Sequence, residues 1–180
     1  MKKITQEELN TILSDHKIWL EDSIKGKKAD LSNMDFRCAN LEAANFYKAY
    51  CKDANFYGAN CQNAGFISSN CENANFKDAD CENAYFIGAN CENADFENSD
   101  LRGANFYGAN CQNVNFKDAD LRGANFYNAD CENAYFFGAN CKDAHFYRAD
   151  CENAYFIGAN CENANFRNAN VSYANCENAN

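Results

Sequence analysis

Apolar residues in this chain recur on a ruler of five. From Ala29 to Asn178 the sequence divides into thirty pentads with no insertion. With i as the central residue, the centre is Phe in fourteen pentads, Cys in eleven, Leu in four and Val in one. Position i−2 is Ala in 26, the exceptions being Met34, Ser69, Ser99 and Val114. Position i−1 is Asn or Asp in 24, and i+2 is Asn, Gly or Asp in 24. Positions i−2 and i lie on one side of an extended segment and i−1 on the other, so one small and one larger apolar residue face a core. Asn, Gly and Asp at i+2 tolerate the backbone of a bend. Five residues therefore make one short side and one corner, and their repetition predicts an all-β solenoid. A regular α-helix is excluded, because a period of five does not hold one face apolar at 3.6 residues per turn.

The number of sides follows from the phenylalanines. From Phe36 to Phe166 every second centre is Phe. An odd number of sides would stack Phe on Cys or Leu, whereas an even number stacks Phe on Phe. Two sides enclose no space, so four is the smallest workable number and one coil is twenty residues. DLRGANFY, which recurs at Asp100 and Asp120, shows the same spacing. Wound this way, one interior column runs from Leu31 through the cysteines Cys51 to Cys151, ending on Val171. The next runs from Phe36 to Phe156, ending on Cys176. The third mixes Leu and Cys from Leu41 to Cys161, and the fourth runs from Phe46 to Phe166. Each layer holds two large and two smaller side chains, like opposite like.

Tandem ADLSN, ANLEA and ANFYK units resemble the pentapeptide-repeat proteins, and the resemblance covers 150 of 180 residues. It implies a right-handed quadrilateral β-helix. The head segment HKIWLEDSIKGKKADLS also resembles the helical leader of some members. Cys stands here where many members use Leu, and the loops that interrupt some members are absent.

Residues Thr5 to about Asp22 predict a helix. Thr5 and Glu8 have capping-box spacing, and Leu9, Ile12, Leu13, His16, Trp19 and Leu20 recur on one face. This gives one structural domain in two parts, an N-terminal α-helical cap over 1–28 and a repeat β-helix over 29–180 of about 7.5 coils. The helix is expected to cover the open end of the coil, and His16 to pack beneath it rather than bind a ligand. At the other end Val171, Tyr173 and Cys176 would face solvent. The expectation there is an end-to-end homodimer, a mode the resemblance also implies.

Twelve cysteines in 180 residues raise the question of disulfides or metal. The chain shows neither an apolar run of ~18 residues nor an h-region behind its first lysines. The expectation is therefore a cytoplasmic protein with reduced thiols. No CxxC occurs, and ladder cysteines that point inward in parallel do not converge on one ion as tetrahedral sites require. Buried Cys acts as a small hydrophobe that fits beside the rings, so no cofactor or metal site is expected. Cys38, at a corner, is the candidate exposed thiol.

The formal net charge is −10. Acidity of this size disfavours direct nucleic-acid binding. The repeats carry the charge unevenly: −7 on the Cys51-to-Cys151 side, −3 on the Phe36 side, −4 on the Leu41 side and +3 on the Phe46 side. The first holds a candidate acidic face of Asp130, Glu132, Asp150 and Glu152. The last holds an outward column of Tyr47, Ile67, Ile87, Tyr107, Tyr127 and Tyr147, a candidate interaction face. His16 and His145 are far apart in register and no catalytic motif appears, so an enzyme is not expected. The reading is a rigid protein-interaction rod. The alternative implied by the resemblance is a DNA mimic that binds type II topoisomerase. At ~4.8 Å per coil the rod is about 36 Å long. B-DNA of that length carries about twenty phosphates, roughly twice the net charge of the repeats.

Overall fold

The computed structural model describes residues 1–180. Successive turns of the chain pair in parallel at a register of twenty throughout, from Asp30 with Tyr50 to Tyr155 with Asn175. Every pairing residue is an i−1 residue, so each side of the coil is one bridge rather than a long strand. Each twenty-residue turn is made of four pentads. All thirty i+2 residues, and no others, have positive φ, between 53° and 67°. The i+3 amide returns to the i carbonyl, as Ala39 N–H does to Phe36 at 2.9 Å. These are the features of a type II turn, which explains Asn, Asp and Gly at the corner.

The hydrogen bonds account for all five amides of a typical pentad. The i and i+2 amides donate to the next coil, as Phe56 does to Asn75 and Gly58 to Lys77. The i−1 amide donates back to the previous coil, as Asn55 does to Met34, and the i−2 amide closes the turn. The i+1 amide donates to the side-chain Oδ1 of the i−1 Asn or Asp, and all 24 of these residues accept that bond. The Asn/Asp preference is thus a structural requirement, since an amide without an acceptor is costly wherever water is excluded.

Inside, the predicted columns form. Phe rings stack face to face along each column at centroid distances of 4.6 to 5.4 Å. The two Phe columns also meet edge to face, as Phe86 meets Phe96 at 5.4 Å and 89°. The rings form one zigzag through the rod, in the geometry their quadrupoles favour. Cys and Ala fill the remaining space, and Cys51 through Cys151 are fully buried.

At the head, β1 (Lys2–Lys3) precedes α1 (Gln6–Glu21), and β1 pairs in parallel with β2 (Met34–Asp35) on the first coil. Thr5 and Glu8 form the predicted capping box. Helix α1 buries Leu9 and His16 against the coil, with Ile12 and Leu13 partly buried. His16 is held from two sides: Nε2 lies 2.9 Å from the Tyr47 carbonyl, and Nδ1 accepts from the Ala29 amide at 3.1 Å. Trp19 stacks on its ring at 5.6 Å.

Candidate interaction surface

The four outer sides differ in how their charges are met. On the Phe36 side Lys77, Glu97 and Lys117 form a ladder across three coils, with N–O distances of 2.9 and 3.3 Å. Lower on that side Arg37 grips Asp35 in a fork and holds its carboxyl at about 2. On the Leu41 side Arg102 bridges Asp100 and Glu82, and Arg122 pairs with Asp120. Asp80, Glu82 and Asp100 come close enough to consider a cation. The Arg102 guanidinium already bonds two of the three carboxylates.

The acidic quartet is gathered as the sequence indicates, with Asp130 directly beneath Asp150. No Lys or Arg pairs with any of the four. Amides take that place. Gln112 donates to Asp130 at 2.9 Å and Glu132 at 3.2 Å, and Asn170 donates to Asp150 at 3.0 Å and Glu152 at 3.2 Å. Neutral donors leave the four charges uncompensated.

The Phe46 side contains no Asp or Glu at all, although the chain carries 26. Its column is less exposed than the sequence suggests: Tyr107 is 44% exposed, while Tyr47, Ile67, Ile87, Tyr127 and Tyr147 are half-buried. The reason is mutual shielding. Tyr107 stacks on Tyr127 at 5.2 Å and Tyr127 on Tyr147 at 5.1 Å, so each ring covers its neighbour's face. The cations cap this column, Lys48 over Tyr47 at 5.0 Å and Arg148 over Tyr147 at 5.2 Å.

This side has a further property that the ruler conceals. Six i−1 positions lack Asn or Asp: Tyr50, Gly65, Tyr85, Tyr135, His145 and Tyr155. Three of them, Gly65, Tyr85 and His145, lie here. The amides two residues on, at Ile67, Ile87 and Tyr147, have no acceptor within the chain. The signal was present in the sequence as broken pentads, but its meaning required the side-chain-to-amide bond. On the Phe36 side Tyr135 stacks on Tyr155 at 5.2 Å and Phe137 lies 5.7 Å from Tyr155, a smaller aromatic patch of the same kind.

Val171 and Tyr173 are 47% and 84% exposed, and Cys176 is exposed. With Phe156, Cys161 and Phe166, Val171 and Cys176 border an apolar cavity of about 310 Å³. Cys38 is exposed at its corner. The two histidines stay apart, His16 beneath the cap and His145 exposed on the Phe46 side.

The fold occurs in known proteins. A trypsin-treated form of QnrB1, a plasmid-mediated fluoroquinolone resistance protein, matches with TM-score 0.50 and 19% identity over 84% of this chain and 89% of that one. HetL, a pentapeptide repeat protein involved in heterocyst differentiation regulation in Nostoc sp. strain PCC 7120, is 21% identical over 83% of this chain and 73% of that one, with TM-score 0.47. A pentapeptide repeat protein of the Arabidopsis thaliana thylakoid lumen is 31% identical over 53% of this chain and 70% of that one, with TM-score 0.44. No curated protein matches the sequence. The family model described as pentapeptide repeats matches in eight copies, over segments that run from residue 27 to residue 180. With thirty unbroken pentads, a twenty-residue register and that match, the chain belongs to the pentapeptide-repeat family.

Proposed function

We propose that this protein is a non-enzymatic, rigid interaction rod, wound in the right-handed sense of its family, which works in the cytoplasm and docks a protein partner on its Phe46 side. The observation that carries this reading is the absence of any carboxylate on one of four sides of a chain with net charge −10. The stacked tyrosine edges and the free amides of Ile67, Ile87 and Tyr147 support it. They offer a partner apolar contact and backbone donors on a surface that needs no rearrangement, and such preorganisation lowers the cost of binding. Replacing Tyr107, Tyr127 and Tyr147 together by Asp should abolish recovery of a stoichiometric partner while far-UV circular dichroism stays unchanged. Recovery that persists in this variant would sink the reading.

A second reading is favoured by the uncompensated quartet of Asp130, Glu132, Asp150 and Glu152 and by the fold shared with QnrB1. On this reading the rod is a DNA mimic that engages a type II topoisomerase through its acidic side. A gyrase supercoiling assay with and without a quinolone distinguishes the two. A salt-sensitive effect that disappears in the Asp150→Asn, Glu152→Gln variant supports the mimic, and no effect at micromolar protein removes it. Either rod pairs end to end with a second copy through Val171, Tyr173 and Cys176. Tyr173→Lys should then halve the mass seen by light scattering.

A further inference from the structure

We propose that the interior thiol columns bind soft monovalent metal ions, Cu(I) in the physiological case, each held in a line between thiols of successive coils. Six thiols from Cys51 to Cys151 occupy one column over six consecutive coils without interruption. Two further pairs, Cys61 with Cys81 and Cys141 with Cys161, stand in the opposite column. All ten are free, and all but the half-buried Cys161 are fully buried.

Size alone does not require cysteine there. Leu101 and Leu121 sit in the same column as Cys81 and Cys141, are equally buried, and pack beside the same Phe stacks. The slots accept the larger hydrocarbon, so the thiols forgo apolar burial that the fold would tolerate. Nor do they satisfy oxygen or nitrogen partners, for only Cys71 has one, the Ser69 hydroxyl at 3.2 Å. They are polarizable groups stacked one above another along the column.

The spacing then selects the ion. The parallel bridges give the Cys columns the same rise as the neighbouring Phe stacks, whose rings repeat at 4.6 to 5.4 Å. A zinc–thiolate bond is ~2.3 Å, and with bonds of that order an ion midway between two sulfurs needs them no more than ~4.6 Å apart. Only two thiols reach such a midpoint, which excludes tetrahedral zinc and suits a soft ion that accepts two sulfurs in line. A free thiol is mostly protonated at neutral pH. On binding, one S–H bond breaks, one S–Cu bond forms and the proton leaves to solvent. The sulfur of the next coil completes the pair with a lone pair. Copper remains Cu(I) and each unit is neutral, which avoids burying charge. The long column offers five gaps and each pair one, seven in all.

The test uses the full, reduced chain without oxygen. Cu(I) is supplied as its acetonitrile complex, and a Cu(I) chelator strips surface ions. The expected result is about seven ions per chain and one proton released for each. X-ray absorption should show two sulfur ligands per copper and no bonded copper neighbour, with the far-UV spectrum unchanged. Cys91→Leu should lose two ions and Cys81→Leu one, because leucine already occupies such slots. The Cys38→Ser, Cys176→Ser variant should lose none. No uptake, uptake lost with Cys38 and Cys176, three-sulfur copper clusters, or uptake only as the chain unfolds would each overturn the proposal.

Discussion

The Ala29 amide donates to Nδ1 of His16 at 3.1 Å, which fixes that nitrogen as an acceptor and leaves Nε2–H to donate to the Tyr47 carbonyl. The buried ring is therefore neutral, and a proton on Nδ1 would face the Ala29 N–H. Burial pushes the imidazole below its ordinary value against the pull of the Tyr47 carbonyl, and nearby Lys28 adds to the depression. Below about pH 6.5 the unfolded chain takes up a proton here that the folded chain refuses. Stability should thus be full above that pH, fall as pH drops through the folded value, and level off beneath it. Thermal unfolding from pH 7.5 to 5 should show this decline, and His16→Gln should flatten it. Equal slopes in the two proteins would remove His16 as its source. His16→Ala, which leaves the Ala29 amide unpaired, should cost about 1–3 kcal/mol at pH 7.5.

The Phe zigzag makes the centre of the rod the most sensitive region. Phe86 stacks on Phe66 and Phe106 at 4.9 and 4.8 Å and meets Phe76 and Phe96 edge-on. Phe86→Ala removes four ring contacts and should cost about 3–5 kcal/mol. Denaturant unfolding would measure it. A loss under 1 kcal/mol would mean that the coil collapses around the gap.

Each i−1 amide or carboxylate should be worth one hydrogen bond. Asn105 accepts from the Tyr107 amide at 3.0 Å and from Asn125 at 3.2 Å. Asn105→Ala should therefore lose about 1 kcal/mol, while Asn105→Asp keeps the acceptor for Tyr107 and should lose less. If the two variants unfold alike, the backbone bond is not what the position supplies.

Columns and register were legible because both follow from spacing: Phe36 to Phe166 alternate without a break, so the side count must be even, and four is the smallest even number that encloses a core. The role of Asn105 was not, since an outward Asn looks like solvated surface until the turn places the Tyr107 amide beside it. Nor was β1. Lys2 and Lys3 carry no strand signal, and the open edge of Met34–Asp35 recruits them. The register alone puts the tyrosines in one outward column, but a list of outward residues cannot show that rings about 5 Å apart shield one another.

The acidic quartet should cost stability where the Lys77–Glu97–Lys117 ladder contributes it. Asp150 lies over Asp130 with no cation in reach, and like charges directly opposed across a bridge repel. Asp150→Asn keeps the oxygen that accepts from the Glu152 amide at 3.1 Å while removing one charge. It should raise stability by about 0.5 kcal/mol at low salt, and the gain should shrink as salt screens the repulsion. Glu97→Gln should do the opposite, because it breaks two ion pairs. Melting temperatures at 20 and 500 mM salt, on the order of a 20 Å and a 4 Å screening length, separate the two cases. A gain at low salt would mean that the acidic side is held at a cost to the fold, as expected of a surface kept for a basic partner. No gain would mean that the Gln112 and Asn170 amides already neutralise the quartet, and the Phe46 side would stand alone as the docking surface.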